Sequence, residues 1–349
     1  MAKKRKTLPK DFDELLRKGN LQELKEVFDK CEWDARGGYG KETALAFDHC
    51  PHELAQWLVE QGLDVQAADT YGNTPLHSRS RSIFGNIKSL LELGADVNNN
   101  GSSIGTPLHS AADSHNVENT ALLLAYGAKP EAVNSRGYTP LEQALSTCSN
   151  IDIENTHKIS NIYLQSGIPI TPRIKKFVTE IGERFEFHRS SFDKESVDIV
   201  SQALEELYRL AGVEPVAKRV MYDGKTSISV ISTTWQKQHQ ELWELLVPSS
   251  GPAATVQGEA IRITGRISIE LEGNGGINWD ADYKKMCDTF LDFVQQGTPL
   301  SSAELTEAAA LVKDIKQKSG DTERLCQLAV KWVMNNPQPV TLSSVGYKR

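Results

Sequence analysis

Apolar residues fall into helical stripes over much of the chain. Ile174, Phe177, Val178, Ile181 and Phe185 recur at steps of three and four, as do Val197, Val200, Leu204, Leu207 and Leu210. That spacing places each set on one face of a helix. Trp235, His239, Leu242, Trp243 and Leu246 make a third stripe, closed by Pro248, and Tyr283, Met286, Phe290, Phe293 and Val294 a fourth, stopped by Gly297. Two further helices are predicted from Ser302 to Ile315 and from Thr322 to Val333, ahead of Asn335-Asn-Pro337. Residues 250–271 carry two patterns. Ile261, Ile263, Ile267, Ile269 and Leu271 alternate as in a strand. Pro252 after Ser250 is a good helix start, Gly273 a good stop, and Ala260, Ile263, Ile267 and Leu271 form a helical stripe. Helix is the favoured reading.

The first half repeats itself. Gly72-Asn-Thr-Pro-Leu-His77 returns as Gly105-Thr-Pro-Leu-His109 and Gly137-Tyr-Thr-Pro-Leu-Glu142, with leucines 32 and 33 residues apart. A second phrase keeps the same beat: Glu60-Gln-Gly-Leu-Asp-Val65, Glu92-Leu-Gly-Ala-Asp-Val97 and Ala125-Tyr-Gly-Ala-Lys-Pro130. Two phrases in step over three copies mark a repeat architecture.

These phrases resemble the ankyrin repeat. Threonine can cap the first helix of each unit, and proline suits the first helical position, where its missing N–H is harmless. His77 and His109 can tie neighbouring turns together, and Gly94 and Gly127 can end each second helix in a left-handed cap. Lys41-Glu-Thr-Ala-Leu-Ala46 is a weaker copy, with Ala44 where proline belongs. Residues 13–28 read as a helix–Gly-Asn–helix capping unit, and a stretched copy runs from Leu141 to Gly167 with about seven inserted residues around Ser146–Asn155. The resemblance implies an all-α protein: a basic tail (1–10), an ankyrin solenoid of about five units with short hairpin fingers (11–170), and a helical C-terminal domain (171–349). The second half is similar, more loosely, to helical regions that follow ankyrin arrays in bacterial proteins of no established activity, through Val256-Gln-Gly-Glu259 and Asn278-Trp-Asp280.

Composition narrows the function classes. Across 349 residues, 39% hydrophobic and 24% charged side chains fit a globular protein. A net charge of −7 argues against sequence-independent nucleic-acid binding, and no apolar run approaches the ~20 residues that span a bilayer. The basic start lacks a following apolar segment, so it does not read as a secretory signal, and it is expected to be a solvated tail rather than a nuclear address. Cys31, Cys50, Cys148, Cys287 and Cys326 are odd in number and scattered, which fits reduced, buried thiols in a cytoplasmic protein. Cys50 and His52 lack the second pair a zinc site needs. No phosphate loop, dinucleotide fingerprint or hydrolase elbow occurs, so no metal, cofactor or catalytic residue is assigned.

Two groups of side chains are candidates for function. Finger and inner-helix residues Tyr71, Asn73, Arg79, Arg81, Asn99, Asp113, Arg136 and Tyr138 are expected to face a protein partner on the concave side of the stack. Tyrosine and arginine are the types enriched at energetic hot spots. Arg79 and Arg81 lie in the helix that corresponds to the one reading His109-Ser-Ala-Ala112 in the next unit. Either they reach a partner, or the helix is lengthened by about two residues and they are merely solvated. In the second half Glu259, Arg262, Arg266 and Glu270 fall on one helical face, acid and base within ion-pairing reach, and Asp280 can cap the next helix. The cluster reads first as a structural ion-pair network; ligand recognition and general acid–base chemistry are the alternatives. His188 and His239 read as core-edge residues rather than catalysts. The expectation is a non-enzymatic, partner-binding protein, by analogy an immunity protein that docks on a toxin or effector. Rival readings are an enzyme acting at Glu259, Arg262, Arg266 and Glu270, and a host-directed adaptor.

Overall fold

The computed structural model describes residues 3–189 and 192–349. The chain divides into two compact units, Met1–Phe185 with Asp193–Val216, and Glu186–Phe192 with Ala217–Arg349.

The first unit is a stack of helical pairs. α1 (Phe12–Lys18) and α2 (Leu21–Lys30) form the capping unit, with Asn20 accepting the Glu23 N–H and Glu23 accepting the Asn20 N–H, both at 3.0 Å. This reciprocal box satisfies two orphan donors of α2. In the second pair, where Ala44 replaces proline, the first helix shrinks to a single 3-10 turn, Ala44–Ala46, before α3 (His52–Glu60). Three full units follow: α4 (Pro75–Arg81) with α5 (Ile87–Glu92), α6 (Pro107–Asp113) with α7 (Val117–Ala125), and α8 (Pro140–Thr147) with α9 (Ile153–Gln165). Each opens on a Thr cap and a first-turn Pro. His77 Nδ1 accepts the Thr74 N–H at 3.2 Å, and its Nε2 lies 2.9 Å from the Gly105 carbonyl of the next unit. His109 does the same with Thr106 at 3.1 Å and the Tyr138 carbonyl at 3.0 Å. Burial lowers the pKa of both imidazoles, so each is a neutral ring whose Nε2–H donates across the repeat boundary. Gly94 and Gly127 take φ of 88° and 87° after the second helices, as their positions predict. The seven residues inserted in the last unit are shared out: α8 gains one, the loop after it two, and α9 four, relative to α6 and α7.

Two expectations are corrected here. The fold is mainly helical, as expected, with one small sheet: β1 (Arg5–Thr7) pairs parallel with β2 (Cys31–Gly37), which pairs antiparallel with β3 (Glu42–Thr43). The basic segment is consequently no solvated tail over residues 3–10. Lys4 donates to the Phe28 carbonyl at 2.7 Å and stands 4.1 Å over the Trp33 ring, and Leu8 is buried. Basic composition describes side chains, and those of β1 stay exposed while its backbone pairs. The first unit also does not end at residue 170. α10 (Pro172–His188), up to Phe185, and α11 (Lys194–Ala211) belong to it, with α11 packed on α9. Ile174, Val178, Leu207 and Leu210 close on Leu141 and Leu145 of α8. An apolar stripe announces a buried face; it does not say which neighbour covers it.

The second unit is built round α13 (Val256–Ser268), which buries eleven of its thirteen residues against α12 (Trp235–Leu246), α14 (Ala281–Phe293) and α16 (Thr322–Asn335). α15 (Ser302–Ile315) packs on α14 and α16. Helix was the favoured reading of this stretch, and helix is found. It starts later than Pro252, at a Thr255 cap whose hydroxyl accepts the Gly258 N–H at 3.1 Å, and its last turn, Ile269–Gly273, widens to π geometry. A helix buried all round has no polar face, so its isoleucines satisfied the strand template as well. Gly265 lets α12 approach: a Cβ there would lie 2.4 Å from Trp243.

Candidate functional site

The eight residues expected to face a partner do not form one surface. Arg79 is fully buried. It donates to the carbonyls of Asn86 at 3.0 Å and Cys50 at 3.3 Å, so it corrects the expectation that it reaches a partner. α4 has the same seven-residue length as α6, so the helix is not lengthened. The following loop, residues 82–86, has five residues against three, at the expense of α5. That loop wraps Arg79 so closely that a Cβ on Gly85 would come within 2.3 Å of the Arg79 carbonyl oxygen. Asn73 is held inside its finger, donating to Asp69 at 3.0 Å and accepting from Ser102 at 2.6 Å, and Asn99 accepts the Gly101 N–H. Tyr138 is half-buried, edge-on to Phe177 and under Arg173. Arg136 is exposed. Tyr71 is exposed and stacks on Tyr39, and Arg81 pairs with Asp113 at 2.8 Å.

Arg81 lines a groove of about 320 Å³ together with Asp13, Glu42, Asp48, Ser78 and Ser82. Three carboxylates and one guanidinium make its wall acidic. Asp48 accepts from the Ser82 hydroxyl at 2.6 Å, and Glu42 accepts the Gly40 N–H at 3.2 Å while its other oxygen is buried without a partner. Exposed apolar side chains follow lining residues on two loops: Tyr39 (92% exposed) after Gly38, and Ile83 with Phe84 (69% exposed) after Ser82. Sequence reading missed Tyr39, Glu42, Asp48, Ile83 and Phe84. The only signal available was two aromatics and an isoleucine at positions where the repeat pattern calls for polar loop residues.

Of the polar cluster of the second unit, Arg262, Arg266 and Glu270 line a cavity of about 450 Å³. Glu259 and Arg262 form a buried bidentate pair, Nε to Oε2 at 2.8 Å and Nη2 to Oε1 at 2.7 Å. Tyr347 donates its hydroxyl to Glu259, and the Ala253 N–H reaches it at 2.7 Å. Burial works against the Arg262 charge, but the bonds and charge of Glu259 outweigh it and raise its pKa. Arg262 Nη1 is buried with no partner. Arg266, one turn on and half-buried, forms no hydrogen bond or ion pair among the described residues. Glu270 does not pair with either arginine. It accepts from the Asn278 N–H at 2.6 Å, Asn274 at 3.1 Å and the Asn278 amide at 3.2 Å. Burial alone would raise its pKa, yet these bonds and the Arg349 charge carry it below the usual carboxylate value. Asp280 caps α14, accepting the Asp282 and Tyr283 N–H groups, and pairs with Arg349 at 2.8 Å. His239 meets the Thr264 hydroxyl at 3.3 Å, and burial pushes its pKa down to about 4. The C-terminal residues Tyr347 and Arg349, which close over the Glu259–Arg262 pair, carry no motif that sequence reading could have used.

The ankyrin repeat family profile matches residues 105–135. Among curated proteins, one from Arabidopsis thaliana named "Putative E3 ubiquitin-protein ligase XBAT35" is 42% identical over 92 residues, 25% of this chain and 20% of that protein. Ankyrin repeat and SOCS box protein 5 of Oryctolagus cuniculus is 35% identical over 97 residues, 28% of this chain and 29% of the relative. The chain therefore spans less than a third of the length of either relative, and what is shared with the ligase-named protein is the ankyrin region. No helix among the described residues is long and apolar enough to cross a membrane. Profile, relatives and the Thr-Pro-Leu-His geometry agree that the chain carries ankyrin repeats, an architecture used for binding proteins.

Proposed function

We propose that the protein is a non-enzymatic binding protein whose repeat stack grips a partner along the acidic groove of its inner helices. The partner segment that fits is extended and basic, with an apolar anchor at each end. The observation that carries this is the groove itself: Asp13, Glu42 and Asp48 converge on it, one Glu42 oxygen is buried without a partner, and exposed Tyr39–Tyr71 and Ile83–Phe84 flank it in sequence. Aromatic anchors beside charged groups are typical of interface hot spots, and complementary charge sets partner choice and encounter rate. A finer form of the same proposal is an immunity-type role, in which the groove covers the working surface of a toxin or effector.

An enzyme in the second unit requires a carboxylate free to exchange a proton. Glu259 is held by Arg262 and Tyr347, and Glu270 is held ionised by its amide donors. Both carboxylates are engaged by these bonds, so neither stands free to act as a general acid or base, which supports binding over turnover. The test is affinity capture from lysate of the source cells, with the intact protein and with a Tyr39→Ala/Tyr71→Ala/Glu42→Gln variant as baits. A stoichiometric companion that the variant loses supports the groove. A companion retained equally by both rejects it.

A further inference from the structure

We infer that the cavity of the second unit is a binding site for a small phosphate ester carrying a planar ring, the size class of a nucleoside monophosphate. The inference stands on the second unit alone and does not depend on the partner reading above. Its first support is a surplus of guanidinium donors. Arg262 spends Nε and Nη2 on Glu259 and the Arg349 carbonyl, at 2.7–2.8 Å, and keeps Nη1 unpartnered although the side chain is only 2% exposed. Arg266 lines the same cavity one turn along α13, with Cβ atoms about 5–6 Å apart by helix geometry, and its whole fork is unengaged among the described residues. A buried donor left without a partner is destabilising, and an incoming oxyanion would satisfy it.

Donor number selects among oxyanions. Three guanidiniums line the cavity; Arg262 is paired with Glu259 and Arg349 with Asp280, so Arg266 is the one without a carboxylate partner among the described residues, and the lining carboxylate, Glu270, is occupied by Asn274 and Asn278. A single carboxylate ligand would be saturated by one fork. A phosphate monoester carries about −1.5 to −2 charge and three acceptor oxygens, which suits two adjacent arginines. The second support is the apolar part of the lining. Phe187 and Trp243 stack on each other, 15° apart with centroids at 6.4 Å, Arg219 lies 4.2 Å from the Phe187 centroid and His239 stacks on Trp243, so a flat ring would pack on the aromatic edges and the Ile269 side chain that line the space. About 450 Å³ falls within the usual range for small-molecule sites.

The experiment is calorimetric titration of the full-length protein with adenosine monophosphate, adenosine, inorganic phosphate and benzoate. Adenosine monophosphate should bind at least ten-fold more tightly than each of the other three. Arg266→Gln removes an unpaired side chain, so it should leave the melting temperature in place and weaken adenosine monophosphate at least ten-fold. Arg266→Lys, which keeps the charge but not the fork, should fall between. Arg209→Gln, an exposed arginine of the first unit, should change nothing. The inference is overturned if adenosine monophosphate does not bind at millimolar concentration, if Arg266→Gln leaves its affinity unchanged, or if phosphate, adenosine or benzoate binds as tightly.

Discussion

Arg79 in the repeat stack and Arg262 in the second unit are both buried arginines, and the chain handles them in opposite ways. Arg79 pairs with no carboxylate among the described residues. Its charge is shared between two backbone carbonyls, its Nε is buried without a partner, burial lowers its pKa, and a loop closes over it. It takes the place that Ala111 fills in the next unit, a plug where the pattern calls for a small residue. Arg262 is matched by Glu259, its pKa is raised, and it keeps a donor beside an open cavity where Arg266 is also free. Burial of a charge is therefore not itself the mark of a ligand site. A surplus donor next to space for a ligand is.

Removing each arginine should separate the two cases most sharply. Arg262→Ala leaves Glu259 buried without its counter-charge and should cost about 3–5 kcal/mol. Arg79→Met strands only two carbonyl acceptors and should cost about 1–3 kcal/mol. Urea unfolding, with hydrogen exchange to resolve the two units, checks both; equal costs would erase the distinction. Next in size is acid sensitivity. His239 has a folded pKa near 4 against about 6.5 when unfolded. Protonation is disfavoured in the fold, so its stabilisation is complete above about pH 6.5 and is lost as pH falls towards 4. That amounts to about 3 kcal/mol in the second unit. His77 and His109 shift in the same direction in the repeat stack. His239→Gln should flatten the pH dependence of the second unit and leave that of the first.

Two glycines sharpen the comparison at smaller scale. Gly85→Ala drives a Cβ into the Arg79 backbone, and Gly265→Ala drives one into the Trp243 ring. Each should cost about 1–3 kcal/mol, with Gly85→Ala the larger, because backbone yields less readily than a side chain; thermal melts rank them. Arg81→Ala comes last. Its ion pair with Asp113 is exposed, so stability should change by less than about 1 kcal/mol. A larger loss would mean that the pair is structural.

Sequence legibility followed locality. The repeat units were readable because each needs the same Thr, Pro, Leu and Gly at fixed steps, and the fold uses them as those steps imply. The six stripes of the second half became helices for the same reason. What failed was long-range. Pairing of β1 with β2 joins residues 26 to 29 apart, through backbone bonds that no side-chain periodicity marks. The assignment of α10 and α11 depended on which neighbour covers a stripe, and the burial of Arg79 on a loop fold that no periodicity encodes. At the polar cluster the helix face was legible. The closure by Tyr347 and Arg349, nearly ninety residues away in sequence, was not. Arg266 and Glu270 were expected to pair, and the π turn at 269–273 instead accompanies Glu270 bonded to Asn274 and Asn278.

The central claim is that the repeat stack grips its partner by the acidic groove. Hydrogen exchange on the complex with the captured companion tests it directly. The account predicts new protection at residues 38–48 and 71–84, whereas protection confined to residues 217–349 would contradict it.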